Sequence, residues 1–219
     1  AGPNLADLVQ AAARLDQLRA EHPMKIDVLH LPRNSGKGEA VRQGLLQASQ
    51  LGLTVVGYAD ADFATPATEV LRLAQTCRDT DVEVVLGSRV KLLGWDIERR
   101  LSRHFMGRVF ATFASMILRL PVYDTQCGAK FFRVTPALRE SLSAPFHSRW
   151  AFDVELIGRL LTSPQPALLA SFVEIPLRRW GDIRGSKLTM PAMIKAVFDL
   201  WTIHLALSKR RRGLNRRPQ

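Results

Sequence analysis

Asp60 and Asp62 stand two residues apart at the end of an apolar run, Leu53-Thr54-Val55-Val56-Gly57-Tyr58-Ala59. Such a run reads as a buried β-strand. In an extended or just-turning backbone, residues two apart point the same way, so both carboxylates aim past the carboxyl end of a strand. That is where open α/β sheets bind ligands. Two hard oxygen donors suit Mg²⁺ or Mn²⁺, which take one or two carboxylates and complete their shell with water and substrate phosphates. The chemistry is that of a metal–diphosphate site. A surface turn after a strand also favours Asp, so the pair alone leaves both readings open.

The elements that must hold these carboxylates are legible in the pattern around them. Leu5, Leu8, Val9, Ala12, Leu15 and Leu18 recur at helical spacing and predict an amphipathic helix over residues 5–21. A strand is predicted over 26–31, followed by the polar, Gly-rich turn Arg33-Asn34-Ser35-Gly36-Lys37-Gly38. Ala40, Val41, Gly44, Leu45 and Ala48 mark the inner face of the next helix. Thr65 as N-cap and Pro66 at the first position open another helix that reaches about Cys77. A strand over 82–86 closes in Gly87-Ser88-Arg89. Strands alternating with helices at this spacing predict a parallel, doubly wound α/β sheet.

Two later helices differ in character. Over 98–120, Leu101, Phe105, Val109, Phe113, Met116, Ile117 and Leu120 form an apolar stripe, with Arg99, Arg100, Arg103 and Arg108 on the other side. This is either a core helix with a solvated basic face or a helix lying on a membrane with its arginines at phosphates. From about Pro191 to Leu207 the pattern is apolar nearly all round, interrupted by Lys195 and Asp199, and runs into Lys209-Arg210-Arg211-Arg212. An anionic leaflet attracts such a cluster by ~1 kcal/mol per basic residue. The segment 209–219 reads as a disordered basic tail.

The composition sets bounds. The chain has 219 residues and is 47% hydrophobic, enough for one sizeable core and not a disordered protein. A formal net charge of +11 implies polyanionic company. Nucleic acid is not the expected partner, because no recognition motif is visible and aromatics are not interleaved with the basic runs. Cys77 and Cys127 lack metal spacing and fit a reducing setting. Neither a signal peptide nor an ordinary membrane-spanning helix is expected from these residues. His30, His104 and His147 lack metal-ligand spacing and read as structural or exposed.

Several motifs converge in order. Asn34-Ser35-Gly36-Lys37-Gly38-Glu39-Ala40 resembles the N-x-GKG-x-A turn of glycosyltransferase family 2, and Asp60-Ala61-Asp62 its metal-binding Asp-x-Asp. Gly87-Ser88-Arg89 matches its strand-ending G-S-R. Asp124-Thr125-Gln126-Cys127-Gly128-Ala129-Lys130 is similar to D-T-Q-C-G-F-K, with Ala129 in place of Phe. Arg149-Trp150-Ala151-Phe152-Asp153-Val154-Glu155 is similar to R-W-x-F-D-x-E, and Glu174-Ile175-Pro176 through Trp180 to Gly185-Ser186-Lys187 completes the order. The set resembles the polyprenyl-phosphate branch of the family, dolichyl-phosphate β-glucosyltransferases nearest.

The resemblance implies a GT-A-like (Rossmann-like) domain over residues 1–188, an interfacial helix over 189–208 and the tail. It implies a UDP-glucose donor, Mg²⁺ or Mn²⁺ on Asp60 and Asp62, and a polyprenyl or dolichyl phosphate acceptor at the cytoplasmic face of a membrane. Asn34, Gly36, Lys37, Ala61 and Lys187 join the two aspartates as expected donor contacts. Asp124, Asp153 and Glu155 are the other carboxylates expected to be catalytic, although Asp153 and Glu155 also suit the first turn of a helix. Arg89, Arg103 and Arg119 are expected at the acceptor phosphate, which arginine grips through its bidentate fork. Trp150 and Trp180 belong either to the core or to the border of the sugar site. The family's opening V-P-x-Y-N-E and D-D-G-S motifs are not among these residues. The expected fold is therefore N-terminally incomplete, completed by a preceding segment or a partner chain. A catalytically dead, membrane-associated fragment is the competing expectation.

Overall fold

Val84–Ser88 is buried at every residue, the pattern of a strand covered on both faces. This strand, β2, sits inside a four-stranded sheet. The structure is a computed structural model that describes residues 27–62, 64–98, 101–181 and 190–214, without the side chains of 98, 101–106 and 190–194. The chain divides into a short unit, Ala1–Asn34, and a main unit, Ser35–Gln219. The helix predicted over 5–21 lies outside the described residues. The strand predicted over 26–31 is not formed at residues 27–31, and Val28 and Leu29 are exposed. An apolar run becomes a strand only when a neighbour takes up its backbone N–H and C=O groups, and these residues join no ladder.

In the main unit, α1 (Lys37–Ser49) leads to β1 (Val55–Ala59), then α2 (Ala67–Asp79) and β2. Next come β3 (Asp96–Glu98), α3 (Leu101–Leu118), β4 (Ala129–Arg133), α4 (Pro136–Leu142) and α5 (Phe152–Leu161). A 3₁₀ turn at Leu169–Ser171 precedes β5 (Phe172–Pro176), β6 (Arg179–Gly181) and α6 (Met190–Leu214). The main sheet runs β1-β4-β2-β5, and β3 pairs with β6 separately. β2 and β5 are parallel, whereas β4 runs antiparallel to both of its neighbours. The sheet is thus mixed and not parallel throughout as predicted: β1, β2 and β5 share one direction, and β4 runs against them. β4 is inserted between β1 and β2, an interleaving of sequence-distant strands that no local pattern encodes.

Period-two alternation splits the core across the sheet. Val84, Leu86 and Phe132 face a cluster with Leu45 of α1, Leu138 of α4, Leu156 and Ile157 of α5 and Ile203 of α6. Val85, Ala129 and Phe131 face the other way, onto Leu73 and Cys77 of α2 and onto Trp180. The result is an α/β domain with helices on both faces, as expected.

The apolar stripe of α3, open in the sequence between a core face and a membrane face, divides between the two: Val109, Phe113 and Met116 are exposed, whereas Leu120 and, beside the stripe, Ala111, Ala114 and Leu118 are buried. Small residues let α3 approach the core closely and turn its large apolar groups outward. The basic segment after Leu207 is not a loose tail as far as residue 214. It continues α6, because Arg211 donates to the Ile117 and Leu118 carbonyls at the end of α3 and Arg210 pairs with Glu140 at 3.2 Å. A cation on those carbonyls satisfies helix-end acceptors and meets the negative end of the α3 dipole.

Candidate functional site

β1 ends at Ala59, and Asp60 is fixed just beyond it. Its N–H donates to the Gly128 carbonyl at 2.7 Å. Its carboxylate lies flat against Gly128, where a Cβ would overlap it, so the glycine of the 124–130 motif is needed for this approach. The Lys37 ammonium stands 2.6 Å from Asp60 Oδ1. That oxygen is buried and accepts no hydrogen bond of ordinary geometry among the described residues. Asp62 lies in the exposed turn that follows and accepts from the Ala64 N–H at 3.0 Å. Ala61 is exposed between them.

Lys37 is delivered by a turn that only glycine fits. Gly36 has φ 87°, and a Cβ there would meet Arg149 Nε at 2.6 Å. A Cβ on Gly38 would press on Phe152 at 2.9 Å. The Gly38 N–H reaches the Arg149 carbonyl at 3.4 Å, and Arg149 Nε donates to the Ser35 carbonyl. The Gly36-Lys37-Gly38 turn and the 149–155 motif are therefore one packed unit, with the Lys37 ammonium 5.8 Å from the centre of the Phe152 ring.

Asp153, in the first turn of α5, is buried against β1 and β4. Its Oδ1 pairs with the fully buried Lys130 Nζ at 2.8 Å and accepts from the Tyr58 hydroxyl. Burial, with the Asp153 charge next, pushes the Tyr58 phenol well above its ordinary pKa and keeps it a donor. Lys130 Nζ also donates to the Cys127 carbonyl.

Asp124 and Arg89 form a second centre. Arg89 Nε and Nη2 grip Asp124 Oδ2 and Oδ1 at 2.7 and 2.8 Å, and the Arg89 N–H adds a third bond at 3.0 Å. Burial works against the guanidinium charge, but the Asp124 carboxylate outweighs it and raises the Arg89 pKa. The loop carrying Asp124 is held in turn by Glu174, which accepts from the Tyr123 and Asp124 N–H groups, both at 2.7 Å. A cleft of about 310 Å³ opens here, lined by Arg89, Lys91, Arg108, Phe110, Tyr123 and Thr125 among others. The Arg108 guanidinium covers the Tyr123 ring at 4.3 Å. The hydroxyls of Thr125 and Ser88 are buried without a hydrogen-bond partner among the described residues. The 124–128 loop touches Asp60 at one end and lines the cleft at the other.

The remaining sequence candidates separate. Glu155 is only 1% exposed and is consumed by structure: Arg159 and the His147 ring meet its Oε1, and the His147 N–H reaches Oε2. Arg159 then spans to the Ser141, Ala144 and Pro145 carbonyls. Glu155 clamps the loop before α5 instead of joining Asp60. Arg119 follows the last residue of α3, eleven positions after Arg108, and thus roughly 16 Å away along the helix; it does not reach the cleft. Asn34 falls in the first unit. Lys187 and the Arg103 side chain lie outside the described residues. Trp180 is buried beneath Arg89, whereas Trp150 is half exposed with its ring edge-on to Phe110.

Lys130, Tyr58, Gly128 and Arg108 carry structural weight that motif reading left unassigned. Lys130 had one available signal: a cation directly beside apolar strand residues is either exposed or paired, and full burial demands a partner.

The carboxylate chemistry fits Mg²⁺ or Mn²⁺. Asp60 Oδ1 is buried and taken by Lys37, which leaves its other carboxylate oxygen, with Asp62 in the open turn that follows, as the oxygens that would meet the ion. No cluster of three or more His, Cys, Asp or Glu closes around a metal among the described residues. An open site of this kind leaves positions for water and phosphate oxygens.

Known proteins share this pattern. The Glycosyl transferase family 2 model matches residues 7–140. The dolichyl-phosphate beta-glucosyltransferase of Drosophila melanogaster is 33% identical over 195 residues, covering 83% of this chain and 56% of the relative. The Homo sapiens protein of the same name is 34% identical, covering 75% of this chain and 49% of the relative. That of Saccharomyces cerevisiae is 29% identical, covering 82% and 54%. The chain spans about half the length of these relatives. Family model, motif order and folded site agree, and the chain belongs to glycosyltransferase family 2.

Proposed function

We propose that this chain carries the catalytic centre of an inverting hexosyltransferase that moves glucose from UDP-glucose onto dolichyl or another polyprenyl phosphate. The observation that carries the reading is the Asp60 carboxylate at a strand end beside Lys37, joined through one loop to a basic cleft. The relatives' names supply the sugar and the lipid.

The acceptor is a phosphate monoester, already anionic at neutral pH, so its attack needs no general base. The task reduces to positioning and charge stabilisation. Asp60 and Asp62 would hold Mg²⁺ or Mn²⁺, which supplies charge to the departing diphosphate. Lys37 adds a positive charge at the same point. Arg89, kept rigid by Asp124, presents its flank to the cleft, where Lys91 and Arg108 supply exposed charge for the acceptor phosphate. Attack from the face opposite the diphosphate inverts the anomeric carbon and gives a β-linked product from an α-linked donor. Arg103 and Lys187 stay in the proposal on the motif resemblance alone, as cations for the acceptor phosphate and the donor.

The acceptor's apolar chain calls for a membrane surface. Val109, Phe113 and Met116 on α3 and Val197, Phe198, Trp201 and Leu205 on α6 are exposed, and Lys209 and Arg212 extend from the latter. No helix among the described residues is long and apolar enough to cross a bilayer. Peripheral binding to the anionic cytoplasmic leaflet suits both features.

The test is transfer of labelled glucose from UDP-glucose to dolichyl phosphate in vesicles, with and without Mn²⁺. Metal-dependent β-glucosyl product that is lost in Asp60→Asn supports the proposal. Vesicle binding without donor binding refutes it in favour of an inactive membrane-associated relative.

A further inference from the structure

Lys130 is an outlier among the buried residues. It is completely buried, on the inner strand β4, and no step of the proposed chemistry uses it. Full burial of a lysine is rare without a partner, and here the ammonium has several contacts. It pairs with Asp153 Oδ1 at 2.8 Å, donates to the Cys127 carbonyl and lies 5.5 Å from the centre of the Tyr58 ring. Tyr58 faces Lys130 across the β1–β4 ladder and donates its hydroxyl to the same carboxylate oxygen.

Each contact leads towards Asp60. Tyr58 lies two residues before it on β1. The peptide whose carbonyl Lys130 holds is the one joining Cys127 to Gly128. Gly128 accepts the Asp60 N–H and supplies the flat surface behind the Asp60 carboxylate. Asp153 brings α5, and with it the Phe152 ring against which the Lys37 turn packs. One buried cation thus ties β1, the 124–130 motif and the 149–155 motif together beneath the carboxylate.

We propose that Lys130, with Tyr58 and Asp153, is a positioning network for the Asp60 carboxylate and hence for its divalent cation, an inference that rests on the metal reading above. Lys130 touches neither donor nor acceptor. Its role is to hold the 127–128 peptide and the end of β1 in the geometry the cation requires. Groups behind a metal ligand tune affinity by roughly 10–100-fold.

The experiment measures Mn²⁺ affinity of the full chain by electron paramagnetic resonance, alongside Tm, and needs no turnover. Lys130→Met leaves Asp153 buried and unpaired and lowers Tm on the order of 10 °C. Leu142→Ala, a core truncation at a residue that makes none of the network's hydrogen bonds or ion pairs, is the control with a comparable loss. Tyr58→Phe removes one hydroxyl and keeps the ion pair, so its Tm stays within a few degrees of wild type. The inference expects Mn²⁺ affinity to fall by roughly 10–100-fold in Lys130→Met and several-fold in Tyr58→Phe, and to stay at the wild-type value in Leu142→Ala. It is overturned if Tyr58→Phe binds Mn²⁺ like wild type, or if Lys130→Met behaves like Leu142→Ala. A wild-type chain that binds no Mn²⁺ refutes the metal reading itself, and the inference falls with it.

Discussion

Gly128 is a residue whose side chain is absent for a reason that can be measured. A methyl group there overlaps the Asp60 carboxylate. Gly128→Ala is expected to swing that carboxylate away and reduce transfer roughly 100-fold, with a loss of Tm smaller than that of a core truncation. Steady-state kinetics beside a melting curve checks this. Cys127 lies next to it in the chain. Burial, followed by the nearby Asp124 charge, pushes its thiol from 9.0 up to about 11. A raised pKa on an acid means that the folded state holds the proton more tightly. The contribution is complete below pH 9 and is lost as pH rises towards 11, by roughly 2–3 kcal/mol. Urea midpoints at pH 8 and pH 10.5 should differ in that direction, and Cys127→Ser should flatten the difference. Asp60 and Asp62 stand out in the sequence by residue type and spacing and the Gly36-Lys37-Gly38 turn as a polar, Gly-rich break, whereas Asp153 is singled out by its motif as a catalytic candidate and is buried against Lys130. The burial of Glu155 by Arg159 and His147 was not legible there, since a carboxylate in the first turn of a helix looks the same whether it faces a ligand or a clamp.

At the scale of elements, the sequence read helices more securely than their faces and strands more securely than their order. α1, α2, β1 and β2 fall close to the predicted ranges because their periodicity is local. β4 lies between β1 and β2 in space, and that choice depends on which apolar faces meet after collapse, so no window of residues contains it. α6 shows the same limit. Asp199 interrupts its apolar pattern and reads as a flaw, but its carboxylate accepts the Ser148 hydroxyl at 2.7 Å. The Ser148 oxygen in turn accepts from the Trp150 and Ala151 N–H groups at the start of α5. This small network fastens α6 to the 149–155 motif. Ser148→Ala is expected to cost about 1–2 kcal/mol, read as a lower urea midpoint. Hydrogen exchange should speed at the first turn of α5 and at 196–203 before it does at β2. Uniform exchange across all three would contradict that order.

On the scale of the whole molecule, an excess of positive charge and two helices with outward apolar residues belong to one surface chemistry. Phe198 and Trp201 lie 5.9 Å apart, centroid to centroid, and both are more than half exposed. Replacing both with serine should leave Tm unchanged, because neither supports the core, and should weaken binding to anionic vesicles by roughly 10–100-fold. Lys209→Gln with Arg212→Gln should weaken it further and reduce its salt dependence. Co-sedimentation at two ionic strengths reads both effects. The proposed membrane-binding face and the basic cleft have a role in transfer only if a nucleotide sugar is held at Asp60 and Asp62. Calorimetric titration of UDP-glucose into the chain, with and without Mn²⁺ and in wild type and Asp60→Asn, addresses that directly. Binding is expected to require Mn²⁺ and to be lost in the variant. Equal affinity without metal, or an unchanged affinity in Asp60→Asn, would contradict that.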